Sequence, residues 1–243
     1  FVIANPWDAG SARLLAGLGF EALATSSGAK AGVLGRRDGK VSREEALANA
    51  RLIVEATDLP VSADLEKGFG DAPSAAAETM RQAAAIGLVG GSVEDATGDK
   101  DRPLYGIDEA ARALPFPFTL TARAEGFLRG RADLDDVIAR LKAFEAAGAD
   151  VLMAPGLPDL EAVRKVCGAI GKPFNFMAGI KGKSFSKAEL EAAGVKRISL
   201  ATSLYRAAMT GLLNAAREVR EHGTFGYLDT TMATPDLNAF MKG

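Results

Sequence analysis

Four acidic residues and one arginine fall at the ends of three successive β-like runs, the composition of a charged catalytic or metal centre. The runs span 61–66, 89–95 and 118–125, and the residues are Asp64, Glu66, Glu94, Glu125 and Arg123. Successive side chains on a strand point to opposite faces. Val61, Ala63 and Leu65 therefore share one face and Ser62, Asp64 and Glu66 the other, while Phe118, Leu120 and Ala122 oppose Thr119, Thr121, Arg123 and Glu125. Adjacent strands lie ~4.8 Å apart, so the polar faces bring these charges together. Carboxylates crowded in a site of low effective dielectric repel strongly, and a divalent cation is the simplest counter-charge. The inert alternative is that the acids cap helices or pair with Arg123.

The ion, if one binds, is narrowed by scarcity. One Cys and one His rule out a disulfide framework or a Cys/His zinc cluster within the chain. Oxygen ligands point to Mg²⁺, with Mn²⁺ as the substitute. Cys167 recurs with Leu160, Val163, Val166 and Ile170 at helical spacing and reads as a packing residue; His222, just before Gly223, reads as a helix end. A Ser-His-Asp mechanism has little to work with.

The elements that must position the charges are legible as eight alternating βα units. Strand candidates are 1–5, 22–27, 61–66, 89–95, 118–125, 151–155, 173–179 and 197–203. Between them lie amphipathic stretches such as 42–57, opened by the capping box Ser42-Arg-Glu-Glu45, and 133–148, with Leu134, Val137, Ile138, Leu141 and Phe144 on one stripe. Eight repeats predict a (β/α)8 barrel of the TIM type, a single α/β domain over 1–243 with its site at the strand C-termini. The apolar tail after Gly223 predicts a C-terminal helical segment that packs on something, a neighbouring subunit included.

Composition excludes other classes. The 243 residues carry a formal net charge of −2 from 29 basic and 31 acidic residues, which offers no field to hold nucleic acid or an anionic membrane. No apolar run approaches the ~20 residues of a membrane span, and the start lacks a signal peptide's pattern, so a cytoplasmic protein is expected. The chain opens inside a strand without Met, and further N-terminal residues are expected to precede it.

Several motifs together resemble the isocitrate lyase and phosphoenolpyruvate mutase superfamily. Asp64-Leu-Glu66-Lys-Gly-Phe-Gly70 is similar to its metal-binding strand and turn, Val93-Glu94-Asp95 to its fourth-strand acid, and Ala122-Arg123-Ala-Glu125 to its fifth-strand arginine. Thr25-Ser26-Ser27-Gly28 resembles the turn that receives the substrate carboxylate, Asp38 an acid near the metal's water shell, Asn5 to Arg13 the opening, and Ser199 to Arg217 the last strand and helix. The resemblance implies a Mg²⁺-dependent lyase or mutase acting on a small 2-oxo carboxylate or phosphonate through an enolate. Asp64, Glu66 and Glu94 would hold the metal. Arg123, Asp38 and Glu94 would be catalytic, and Thr25, Ser26, Ser27, Gly28, Arg123 and Asn175 would bind substrate. It further implies a homotetramer built from dimers.

Two segments depart from that pattern. The loop after the fourth strand reads Ala96-Thr-Gly-Asp-Lys-Asp-Arg-Pro-Leu-Tyr105, without the Cys and His of the superfamily's lyases. The sixth strand ends Met153-Ala-Pro155-Gly, where a His or an acid is usual. Both argue against conventional isocitrate or methylisocitrate cleavage and phosphonomutase activity and leave the reaction branch open; Lys100, Arg102 or Tyr105 are the candidate replacements in the loop. The alternatives are a non-catalytic 2-oxo acid binder and a sugar-phosphate barrel using Gly179 to Lys183 and Ala201 to Ser203.

Overall fold

The computed structural model describes residues 1–106 and 118–241. All eight expected strands form: β1 (Val2–Ile3), β2 (Leu23–Ala24), β3 (Val61–Asp64), β4 (Gly90–Glu94), β5 (Thr119–Arg123), β6 (Val151–Met153), β7 (Phe174–Met177) and β8 (Arg197–Ser199). The helices among the described residues are α1 (Ala9–Gly17), α2 (Ser27–Val33), α3 (Arg43–Glu55), α4 (Pro73–Ala85), α5 (Leu134–Ala146), α6 (Leu160–Ala169), α7 (Lys187–Ala192), α8 (Ser203–His222) and α9 (Thr234–Phe240).

Every strand pairing is parallel, because each strand is carried back to its starting end before the next begins. The order β1-β8-β7-β6-β5-β4-β3-β2 leaves two edges, and an Ala4–Leu23 bridge joins them into a nearly closed barrel. Sequence parity is obeyed: Val61 and Leu65 are buried in one cluster with Leu47 and Ile53 of α3 and Met80 of α4. On the other side, Phe174 and Phe176 pack with Leu141 and Phe144 of α5 and Val163 of α6, which leaves Asn175 for the interior. The expected caps are present, Ser42 and Glu45 forming the box at α3 and Asp133 accepting from Asp135 and Asp136 at α5.

Every strand ends sooner than its candidate run, β2 and β8 by the most. Ser26 leaves the β2 run to cap α2, and Ala201 turns left-handed (φ 50°) ahead of α8. In both places the chain leaves the barrel mouth directly into a helix, which sets backbone rather than long side chains around the opening.

The tail is helical as expected. α8 ends on His222 with Gly223 left-handed (φ 66°), and α9 folds back so that the Phe240 ring lies where Gly17 of α1 has no side chain. Leu212, Leu213, Phe225, Leu228 and Met232 are exposed along this segment. Among the described residues no helix is long and apolar enough to cross a membrane.

The turn after β3 depends on Gly68. Its φ is 87°, the Thr79 hydroxyl donates to its carbonyl at 2.8 Å, and a Cβ there would lie 2.5 Å from Ala76 Cβ and 2.7 Å from Ala76 Cα. Gly98 has a similar φ of 85° with nothing within 4 Å. Both alanine variants bear the backbone strain, but only Gly68→Ala must also displace α4. Urea denaturation should show Gly68→Ala losing about 1–3 kcal/mol more than Gly98→Ala.

Candidate active site

Arg123, the last residue of β5, organises the C-terminal end of the barrel. Register places it beside Glu94 of β4, and Ser92 of β4 beside Asp64 of β3. Its Nη1 donates to Asp64 Oδ1 at 3.1 Å, its Nη2 lies 3.2 Å from Glu94 Oε2, and Nε and Nη2 donate to Glu125 Oε1 at 3.1 and 2.8 Å. Glu94 is held a second time by Arg129 Nη2, at 3.1 Å from Oε1. Glu125 is fully buried, and its Oε2 has no hydrogen-bond partner.

Glu66 goes elsewhere. It takes a left-handed conformation (φ 52°) and pairs at 3.5 Å with Lys30 of α2, a buried lysine lying 5.5 Å from the centroid of the Phe69 ring. Among the described residues, therefore, no three His, Cys, Asp or Glu side chains stand as a ready ligand set. Asp64 and Glu94 meet at the guanidinium, while Glu66 pairs with its own cation beside Asp64.

A cavity of about 270 Å³ opens at this end, and Thr25, Ser26, Ser27, Gly28, Asp38, Asp64 and Arg123 all line it. The turn is built by short contacts. Thr25 Oγ1 accepts from the Asp64 N–H at 3.0 Å, Ser26 Oγ accepts from the Ala29 N–H, and the Ser27 N–H donates to Asp64 Oδ2 at 3.2 Å. Thr25 and Ser26 thus position the turn, while the Ser27 hydroxyl and the Gly28 N–H make no hydrogen bond among the described residues. A Cβ at 28 would come 2.7 Å from Thr202 Cγ2, so a larger residue there must displace that side chain. Asn5 fastens β1 to both neighbours, donating to the Ala24 and Thr25 carbonyls and accepting from the Leu200 N–H.

Other expectations are placed more simply. Asn175 is wholly buried, is not among the residues lining the cavity, and donates to Ser199 Oγ at 2.9 Å. Tyr105 donates to Asp71 Oδ1 at 2.6 Å and so ties the loop after β4 to the turn after β3. Lys183 donates to the Gly156 carbonyl. Burial pushes the Cys167 thiol up to about 11, as suits a packing residue. Lys30, Arg129 and Arg197 lie outside the motifs that mark the other site residues in the sequence. Strand alternation marks Arg197 as the polar neighbour of buried Ile198; nothing local marks Lys30, which reads as an ordinary helix lysine.

The matches to known proteins agree with this geometry. Residues 1–220 match the family described as phosphoenolpyruvate phosphomutase. The chain belongs to that family, within the phosphoenolpyruvate mutase/isocitrate lyase superfamily. It superposes on the crystal structure of a candidate lyase/mutase from Burkholderia cenocepacia J2315 with a TM-score of 0.96 at 50% identity, covering 100% of this chain and 91% of that one. It is 28% identical to the 2,3-dimethylmalate lyase of Eubacterium barkeri over 96% of this chain and 86% of that protein. It is 29% identical to the oxaloacetate decarboxylase of Paraburkholderia xenovorans over 90% and 77%. This family member is an enzyme of the carbon–carbon or carbon–phosphorus lyase and mutase type.

The family member's charges are unevenly satisfied. Burial acts to raise the Asp64 carboxyl, but Arg123, the N–H groups of Glu66 and Ser27, and Lys30 together hold it below its ordinary range. Glu66 is raised, by burial first and then by Asp64 and Asp38, against Lys30. Glu94 is pushed up to about 8 by burial, with Glu125 and Asp64 adding to the effect and Arg123 opposing it. Arg123 itself is raised, its three carboxylates outweighing burial. Asp64 holds its negative charge against burial, and the raised carboxyls of Glu66 and Glu94 are hard oxygen donors that a divalent cation would favour in their charged form, so the donor set fits such an ion in chemistry.

Glu94 gives the site a pH signature. With its pKa near 8 in the fold and an ordinary value of 4.5, the folded protein keeps a proton that the unfolded chain has released. That stabilisation is complete below the lower value and is lost as pH rises through the upper one. In chelator, the melting temperature should fall between those limits, and Glu94→Gln, neutral throughout, should flatten the decline. An unchanged slope in Glu94→Gln would place the titrating group elsewhere.

Proposed function

We propose that this enzyme is a divalent-metal-dependent lyase or mutase that acts on a small 2-oxo carboxylate through an enolate. The observation that carries the reading is that Asp64 and Arg123 share one cavity with the Ser27–Gly28 turn. Asp64 and Glu94, with Glu66 and Asp38 close by, are the residues that would hold Mg²⁺ or Mn²⁺. When bound, the ion supplies Lewis acidity that lowers the energy of enolate charge.

The chain's own groups do the rest. The free Ser27 hydroxyl and Gly28 N–H receive the substrate carboxylate, directed by the backbone bond from Ser27 to Asp64. Arg123 is fixed in place by three carboxylates before substrate arrives, so its fork meets charge that develops as the bond breaks without reorganising. Oxaloacetate, 2,3-dimethylmalate and simple phosphonates are the substrates to assay, with and without Mg²⁺.

Arg123→Lys separates catalysis from scaffolding. A lysine keeps the charge but loses the fork that reaches Asp64, Glu94 and Glu125 together. Turnover should fall about 10²- to 10³-fold while ligand affinity changes little. A variant that is destabilised but fully active per folded molecule would return Arg123 to a structural role, and Mg²⁺-dependent binding without product from any substrate would make the protein a binder.

We also propose that α8 and the tail join chains into a homotetramer built from dimers. Their Leu212, Leu213, Phe225, Leu228 and Met232 are exposed, and α8 buries none of its residues within this chain. Multi-angle light scattering at micromolar concentration should return four chains, and a monomer would refute the proposal.

A further inference from the structure

Arg197 is a half-buried guanidinium that no carboxylate meets among the described residues. Arg123 has Asp64, Glu94 and Glu125, and Arg140 has Asp95 and Asp136. Arg197 instead opens β8, points into the barrel and is held by two neutral acceptors. Its Nε donates to Asn175 Oδ1 on neighbouring β7 at 2.8 Å, and its Nη2 donates to Thr121 Oγ1 on β5 at 2.7 Å. Strands β5 and β8 are not neighbours, so the side chain reaches across the interior. It lines the same cavity as Asp64 and Arg123. Asn175 is in turn fixed by its own donation to Ser199.

This arrangement orients a charge without neutralising it. Burial alone draws the Arg197 pKa down to about 10, with no anion to raise it, and the group stays protonated at neutral pH. A partly desolvated cation without a carboxylate partner is unfavourable, and two neutral hydrogen bonds satisfy only part of its five N–H groups. The remaining edge is already in a plane, as needed to receive the two oxygens of an anion side by side.

We propose that Arg197 is a specificity residue: it receives a second anionic group of the ligand, inside the barrel and apart from the Arg123 cluster. The inference rests on the 2-oxo acid reading for the ligand's first carboxylate, while the charge at Arg197 stands independently. The anion is a carboxylate or a phosphonate. A ligand spanning both positions would carry its cleavable bond between the Ser27–Gly28 turn and Arg197, past Arg123.

Calorimetric titration of the whole chain in MgCl₂ tests this with matched pairs: oxaloacetate against 2-oxobutyrate, and 2-oxoglutarate against 2-oxopentanoate. Malonate and methylphosphonate serve as anions without a 2-oxo group. At least one diacid should bind about tenfold or more tightly than its monoacid partner, and Arg197→Met should reduce that advantage to about twofold or less. Thr121→Val, which keeps the charge but loosens its plane, should reduce it partially, and supplies the test if Arg197→Met does not fold. Diacids no tighter than monoacids, or an advantage that survives in folded Arg197→Met, would overturn the subsite while leaving the 2-oxo acid reading intact. If no 2-oxo acid binds but malonate or methylphosphonate does so in an Arg197-dependent manner, the subsite holds and the 2-oxo reading fails.

Discussion

The structure depends on one buried guanidinium shared among three carboxylates. Arg123 is tied to Asp64, Glu94 and Glu125, which come from β3, β4 and the segment just after β5. A charge so placed is tolerable only if its partners are held at hydrogen-bond distance, and only a closed parallel barrel delivers consecutive strand ends to one point. Three carboxylates outnumber the one guanidinium, and Glu94, pushed up to about 8, shows that excess.

The barrel meets this demand with backbone. Thr25, Ser26, Ser27 and Asn5 use hydrogen bonds to fasten strand ends and helix starts to one another, and the glycines at 28 and 68 remove side chains where α8 and α4 come closest. Hydrogen bonds therefore tie the mouth together on the β1–β3 side. The loop after β4 is secured differently, by Tyr105 on Asp71 and Lys67 on the Thr97 carbonyl, contacts that lie at the rim. The missing Cys and His of that loop are not replaced by Tyr105 reaching the cavity.

Charge inside the barrel is divided by position. Acids gather toward β3 and β4, and the uncompensated cation stands on β8. A ligand with separated anionic groups, carrying or meeting a cation at the acidic side, matches that division better than a neutral one. Interior electrostatics of this kind favour one orientation of the ligand before any contact with the reacting bond.

The sequence by itself determined the eight strands, the inward faces of β3 and β5, the helix caps at Ser42 and Asp133, and the carboxylate cluster with its arginine. Each of these follows from alternation, helical spacing or local hydrogen bonding, interactions that reach only a few residues along the chain. Tertiary structure decided which acid meets which cation. Glu66 and Asp64 share a strand face, yet a left-handed turn at Glu66 sends it to Lys30, thirty-six positions away. Arg197 meets Thr121 across seventy-six. Such pairings are set by barrel closure and by where each helix returns, so strand parity names the face of a side chain but not its partner.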